Sequence, residues 1–332
     1  MQTLPTIPAN PCSRLGMGCA EIGNLHRAID EADARLVLEA ARVAGITLFD
    51  TAPGYGKGLS ELRTGAFLRD HPDAGLTCST KVGRYLVPGK GRNARDFFAA
   101  PLPFEGRFDY SYDGVMRSFE QSLLRLGVTS VDRLFVHELD AGNHGDALET
   151  HCRALLDGGL RALDELRSAG DTRQIGVAVN QPDVGARLLR DARFDVALLA
   201  SRYTLIDQSG LDAFLPLALA QGVEVIAGGV FNSGILATGA APGARYDYVE
   251  ADAAVAARVA AIEAVCRRHT VPIAAAALQF TLAHPAITTV LIGTSRPERI
   301  GENVAALTHA IPEALWDELA ELGSPRANAV VH

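Results

Sequence analysis

The 332-residue chain has no run approaching about 18 uninterrupted apolar residues, and its opening, MQTLPTIPANPCSRLG, lacks a basic segment followed by an apolar one. Neither a membrane-spanning helix nor a secretory leader is expected, and the reading is a soluble, cytoplasmic protein. It also lacks any long basic run, and its net charge of −8 argues against nucleic acid or an anionic membrane as the main partner. Cysteine is sparse: Cys12, Cys19, Cys78, Cys152 and Cys266 lie far apart with no C-x-x-C pair. An odd, scattered set points to reduced thiols. No H-E-x-x-H metal motif is present, since His137-Glu138 is followed by Leu139, Asp140 and Ala141. His144 and His151 follow His137 at a regular spacing, but the intervening AGNHGDALE mixes loop and helix-start residues. No metal is expected.

Two phosphate-binding motifs are missing as well. The run Gly16-Met17-Gly18-Cys19-Ala20-Glu21 fails G-x-G-x-x-G at its third glycine. A Walker A loop fails between Gly83 and Gly89-Lys90, where five residues intervene and Gly91 stands where Ser or Thr is required.

What is there is a 48% apolar chain, ample for a large core, in which short aliphatic runs alternate with longer segments of helical periodicity. Strands are predicted at 14–18, 46–50, 76–81, 132–137, 174–179, 195–200, 223–227 and 288–292. Helices are predicted at 31–44, 58–69, 111–126, 154–169, 182–191, 210–221, 254–268 and 297–306. In 31–44, Ala34, Val37, Leu38, Ala41 and Ala44 form one stripe that stops at Gly45. Eight strands each followed by a helix is the count of a (β/α)8 TIM barrel, closed by right-handed parallel crossovers. A doubly wound open sheet is the competing architecture. No linker or composition break divides residues 1–332, so one domain is expected. Two long insertions, 83–110 and 229–250, would lie over the C-terminal face, where barrel active sites form.

This layout gives meaning to polar residues at strand ends. Asp50 ends the second strand, Lys81 the third and His137 the fourth, and Asn180 follows the fifth. Taken singly, such an Asp is often a helix cap, such a His a satisfied core residue and such a Lys solvated. A carboxylate, an ammonium and an imidazole ending successive apolar strands are costly unless paired, so they should meet. Tyr55 lies on the loop beyond Asp50, between Gly54 and Gly56. A phenol with pKa near 10 is poor at proton exchange at neutral pH, and Lys81, anchored by Asp50, is expected to lower that value. With His137 bonding the same oxygen, the set suits proton transfer to or from an alcohol or carbonyl. Hydride chemistry would require a bound cofactor.

The residues carrying a family resemblance are Phe49-Asp50-Thr51-Ala52, Tyr55-Gly56, Ser60-Glu61, Ser79-Thr80-Lys81-Val82-Gly83, Phe135-Val136-His137, IGVAVNQ at 175–181 and GTSRPERIGEN at 293–303. Over nearly its whole length the chain resembles the aldo-keto reductases. The resemblance implies Asp50, Tyr55, Lys81 and His137 as the catalytic tetrad, with Tyr55 the acid/base, and a nicotinamide dinucleotide held without a Rossmann motif. It also puts Asn180 on the carboxamide and Gly229, Val230, Asn232 and Gly234 along the pyrophosphate. Gly293 to Asn303 would hold the adenosine end, with Arg299 near the ribose or adenine and Glu302 and Asn303 on the base.

Departures from the family pattern refine this. Gly228 stands where a stacking aromatic is common, and Ala200 or Ser201 where a glutamine is. Gly293 replaces a lysine found in phosphate-preferring members, which favours NAD, while Arg296 and Arg299 leave NADP open. IGVAVNQ, SRYTLID at 201–207 and the long loop after Lys81 resemble the bacterial branch that oxidises free aldoses of the L-fucose or D-threo type at C1, to which pyridoxal 4-dehydrogenase is similar. The implied substrate is a small sugar or aldehyde, and Arg84, Tyr85, Arg92 and Phe104 are candidate substrate contacts. A broad aldehyde reductase and a non-catalytic, cofactor-binding regulatory subunit are the alternatives.

Overall fold

The computed structural model describes residues 11–89 and 97–323. Eight parallel strands close a barrel in sequence order: Leu15–Gly18, Leu48–Asp50, Thr77–Val82, Val131–His137, Thr172–Val179, Val196–Ala200, Glu224–Gly228 and Ile287–Ile292, the first pairing with the last. All eight predicted strands are present, and they close into a barrel rather than an open sheet.

Register explains which strand residues meet inside. Phe135, Leu48, Ala178, Val196, Leu198, Ile226 and Leu291 form a small apolar cluster that plugs the barrel. Lys81 pairs with Phe135 and His137 with Ala178, so both share the inward face of those plug residues. Asp50 lies two residues beyond the inward Leu48 and pairs with Ser79. Asn180 lies two beyond Ala178. The period of two thus turns all four toward the C-terminal mouth, one layer above the plug. The outward residues of the same strands, such as Met17, Phe49, Leu134 and Val136, belong to the larger core between barrel and helices.

Local chemistry sets the helix ends. Asp30 accepts from the amide of Asp33 at 2.8 Å to start Glu31–Val43, which buries Ala34, Val37, Leu38 and Ala41. Ser111 caps Tyr112–Leu126, and Gly127, at φ 66°, ends it. The predicted helix 154–169 is a compound one: Leu148–Ala154, a single wide turn at Leu155–Gly159, and Leu160–Ala169.

The last crossover differs from the expectation. The helix predicted at 254–268 forms as Ala253–Arg268, but a further one, Ile273–Leu282, packs against the eighth strand. All of its residues except Ala274 and Gln279 are buried. Ala253–Arg268 lies outside it, against Glu313–Glu321. The insertion 83–110 carries an antiparallel pair, Arg84–Pro88 with Phe104–Phe108, and 229–250 carries a smaller one, Arg245–Tyr246 with Val249–Glu250.

Candidate active site

At the mouth, Lys81 is 1% exposed and donates to Asp50 Oδ2 and to the Thr51 carbonyl, both at 2.7 Å. Ser79 donates to the other carboxylate oxygen of Asp50 at 2.6 Å. The ammonium lies 4.9 Å from the centre of the Tyr55 ring. His137 meets that ring edge-on, with centroids 6.0 Å apart and planes at 84°. The four residues expected to form one constellation therefore do so. Removing one partner of such a buried pair costs about 3–5 kcal/mol, because the other charge is then left uncompensated.

The loop that carries Tyr55 is pinned from below. Thr51 and Ser60 hydroxyls share a hydrogen bond of 2.8 Å, and Ser60 donates to the Cys19 carbonyl at 2.7 Å. Glu61, fully buried, accepts from Thr80 at 2.7 Å and from Arg125 at 2.6 Å. Ser60 thus ties the start of its helix to the loops after the first two strands, and Glu61 ties it to the third strand.

The charge balance at Tyr55 corrects one expectation. Burial pushes its proton affinity well above that of an ordinary phenol, and Asp50, Tyr248 and Cys19 push the same way, with Arg84 opposing. The lowering expected from Lys81, which Asp50 holds at 2.7 Å, is outweighed by this burial. This direction favours the phenol over the phenolate at neutral pH. His137 is held neutral, its pKa well below the usual value through burial first and then through Lys81 and Arg84. A neutral imidazole keeps one donor and one acceptor nitrogen.

The candidate cofactor residues line the opposite half of the mouth. Asn180 is exposed, with its carbonyl accepting from Arg202 at 3.0 Å. After the seventh strand, Gly229, Asn232, Ser233 and Gly234 all have positive φ, a turn that curls backbone amides inward. The amides of Asn232 and Gly234 already bond inside this turn, at 2.8 and 3.0 Å, so the phosphate cradle expected over the whole run is narrower. Val230 is buried and packs downward. Asn232 is buried, donates to the Ser201 carbonyl at 3.2 Å, and has a side-chain oxygen without a partner. That buried acceptor beside a curled backbone fits a polar group arriving from the mouth. Gly293 is exposed just past the eighth strand. On the helix Glu298–Thr308, Arg299 and Glu302 pair with each other, and Asn303 donates back to the Arg299 carbonyl at 2.8 Å.

Of the loop candidates, Arg84 reaches the site and pairs with Glu138 next to His137. Tyr85 instead lies under Arg117 at 4.8 Å, a packing position, and Phe104 pairs with Pro88 at the far end of the hairpin. Arg92 lies outside the described residues. Sequence reasoning missed Phe98, whose ring is 6.0 Å from Tyr55, and Tyr248, whose ring is tilted against that of Phe97 at 5.5 Å. Aromatics inside insertions that lack any periodicity were the available signal.

The sequence profile of the aldo/keto reductase family matches residues 14–324. The chain belongs to that family. Among its aldo/keto reductase relatives, the chain is similar to a pyridoxal 4-dehydrogenase of Microbacterium luteolum, 42% identical over 93% of each chain. It is also similar to a D-threo-aldose 1-dehydrogenase of a Pseudomonas species, 36% identical over 92% of this chain and 93% of the relative. Its fold matches an aldo-keto reductase from Bacillus halodurans solved in holo form, with a TM-score of 0.72 at 23% identity, covering 93% of this chain and 91% of the other. The chain is thus an oxidoreductase with dehydrogenase relatives, and aldo-keto reductases work with nicotinamide cofactors.

Proposed function

We propose that this aldo-keto reductase oxidises the C1 hydroxyl of a free aldose of the L-fucose or D-threo type, in its cyclic hemiacetal form, to the lactone, with NAD preferred over NADP. The observation that carries the reading is the placement of Tyr55 between the Lys81 ammonium and an edge-on His137 at the open end of the barrel. A hydroxyl placed there meets a proton acceptor and a neutral imidazole together. A bound nicotinamide supplies the hydride acceptor. Tyr55, once deprotonated, takes the proton of the anomeric hydroxyl as the C1–H bond electrons leave as hydride. His137 donates a hydrogen bond to the oxygen that becomes the lactone carbonyl, and Asp50 keeps Lys81 beneath the phenol. Asn180, Gly229, Val230, Asn232, Gly234, Gly293, Arg299, Glu302 and Asn303 are the proposed cofactor contacts. Gly293, without a cation for a 2′-phosphate, supports the NAD preference.

Pyridoxal is the second substrate reading, supported by the 42% identity to a relative of that name. Pyridoxal also closes to a cyclic hemiacetal and also gives a lactone, so the same residues serve both. A cytoplasmic setting fits the reading, since all five cysteines are buried and none is in a disulfide.

Steady-state oxidation of L-fucose, D-arabinose, pyridoxal and simple alcohols, each with NAD and with NADP, tests this. Turnover of a cyclic hemiacetal at least about tenfold better than of simple alcohols is the expected result. Binding of NAD with turnover of none of them would favour a regulatory, cofactor-binding role instead.

A further inference from the structure

One ion pair at the mouth takes no proton in the chemistry just described, yet it lies against Tyr55 and His137 and its Arg84 lowers the pKa of both. Arg84, at the start of the first hairpin, and Glu138, just past the fourth strand, pair with side chains 22% and 25% exposed. Glu138 Oε1 is 4.0 Å from His137 Nε2. On its other side the pair borders the Tyr55 loop. A Cβ at position 54 would lie 2.9 Å from Arg84 Nη1, so glycine there gives the guanidinium its place.

The pair is also built, not incidental. Glu138 has φ 53°, a left-handed backbone that an L residue adopts at a cost and keeps only where its surroundings over-determine it. Those surroundings are a clamp on two successive carbonyls. Tyr110 donates its hydroxyl to the His137 carbonyl at 2.8 Å, and His144 Nε2 lies 3.0 Å from both the Glu138 carbonyl and the Tyr110 hydroxyl. Since Tyr110 gives its proton to His137, both neighbours of Nε2 are acceptors, and His144 carries its proton there. The ring of Phe108 then supports the guanidinium of Arg84 from 4.3 Å, and His144 meets Phe108 edge-on at 4.5 Å.

We propose that the Arg84–Glu138 pair, clamped by Tyr110 and His144, is the subsite that holds the ring hydroxyls of a neutral, polyhydroxylated substrate while its anomeric carbon faces Tyr55. A guanidinium has five N–H donors and a carboxylate about four acceptor sites, more than their mutual bonds use. Neighbouring sugar hydroxyls each donate one bond and accept others, so they need both kinds of group side by side. A substrate bearing an anion next to its reacting carbon, such as the 3-phenolate of pyridoxal, would gain from Arg84 and be opposed by Glu138. This rests on the hemiacetal-oxidation reading and narrows its substrate class to sugars.

Glu138→Gln, Glu138→Asp and Arg84→Met, each first checked for an unchanged thermal midpoint with NAD bound, test it with L-fucose and pyridoxal. Glu138→Gln is expected to raise KM for L-fucose about tenfold or more with kcat within about threefold, and to leave KM for pyridoxal unchanged or lower. Glu138→Asp should recover part of the sugar affinity, and Arg84→Met should weaken both substrates. An unchanged L-fucose KM in folded Glu138→Gln would overturn the subsite and leave the hemiacetal reading standing. Parallel losses of kcat on both substrates would overturn it too, since they would mark a role in positioning His137 alone. Wild-type protein that oxidises neither substrate would sink both proposals.

Discussion

At Tyr55 the enclosure of the hydroxyl outweighs the cations around it, and this fixes a direction for pH dependence. A phenol whose pKa is raised stays protonated through neutral pH, ready to donate a proton to a carbonyl being reduced. Oxidation requires the deprotonated form, so kcat/KM for hemiacetal oxidation should rise by about tenfold per pH unit through neutrality and into the alkaline range, while reduction of an aldehyde stays flat there. A stopped-time assay of both directions from pH 6 to 10 reads this, and an oxidation rate that levels off below neutral pH would mean the phenol is already activated. Tyr55→Phe should lower turnover in both directions by at least about 10²-fold with NAD affinity nearly intact, as titrated by fluorescence. That the proposed tetrad residues meet was legible in the sequence, because period-two strands with Asp50, Lys81 and His137 at or next to their ends leave little freedom about where those side chains go. The sign at Tyr55 was not legible. It depends first on burial and then on Asp50, Tyr248 and Cys19, two of which come from other loops.

Among the elements, the strands were readable and the last crossover was not, for one physical reason. A helix announces itself by a stripe, and Glu31–Val43 has one, burying Ala34, Val37, Leu38 and Ala41 while Glu39 and Arg42 pair beside them. Ile273–Leu282 has no polar face to make the contrast, since it is covered by the barrel, by Glu298–Thr308 and by Ala253–Arg268. Its position makes a stability prediction. Leu278→Ala, at a fully buried site, should cost about 2–5 kcal/mol in urea unfolding, whereas Leu124→Ala, 83% exposed on Tyr112–Leu126, should stay within about 0.5 kcal/mol. Equal effects of the two would mean that Ile273–Leu282 does not form the inner layer.

Across the whole molecule the ring divides its labour. Strands two to four and the loop after the second carry the proposed acid/base residues, and the ends of strands five, seven and eight carry the proposed cofactor contacts. A dinucleotide laid over that second half would be an anion on a chain of net charge −8, so its phosphates must be met by local donors rather than by an overall field. The first and last strands are neighbours in the closed ring, and this brings Glu21 into the question of NAD against NADP. A Cβ at position 293 would lie 3.6 Å from Glu21 Cγ, and burial pushes the Glu21 carboxyl up to about 7, against Arg27. A lysine introduced at 293 would therefore ionise Glu21 and pair with it before it could serve a 2′-phosphate. Gly293→Lys alone should change the NADP to NAD ratio of kcat/KM by less than about threefold, whereas Gly293→Lys combined with Glu21→Gln should shift it toward NADP by about tenfold or more, the worth of one added charge-assisted contact. A single variant that shifts as far as the double would show that Glu21 does not reach the new ammonium, and a double variant that shifts nothing would move the choice between the two cofactors to Arg296 and Arg299.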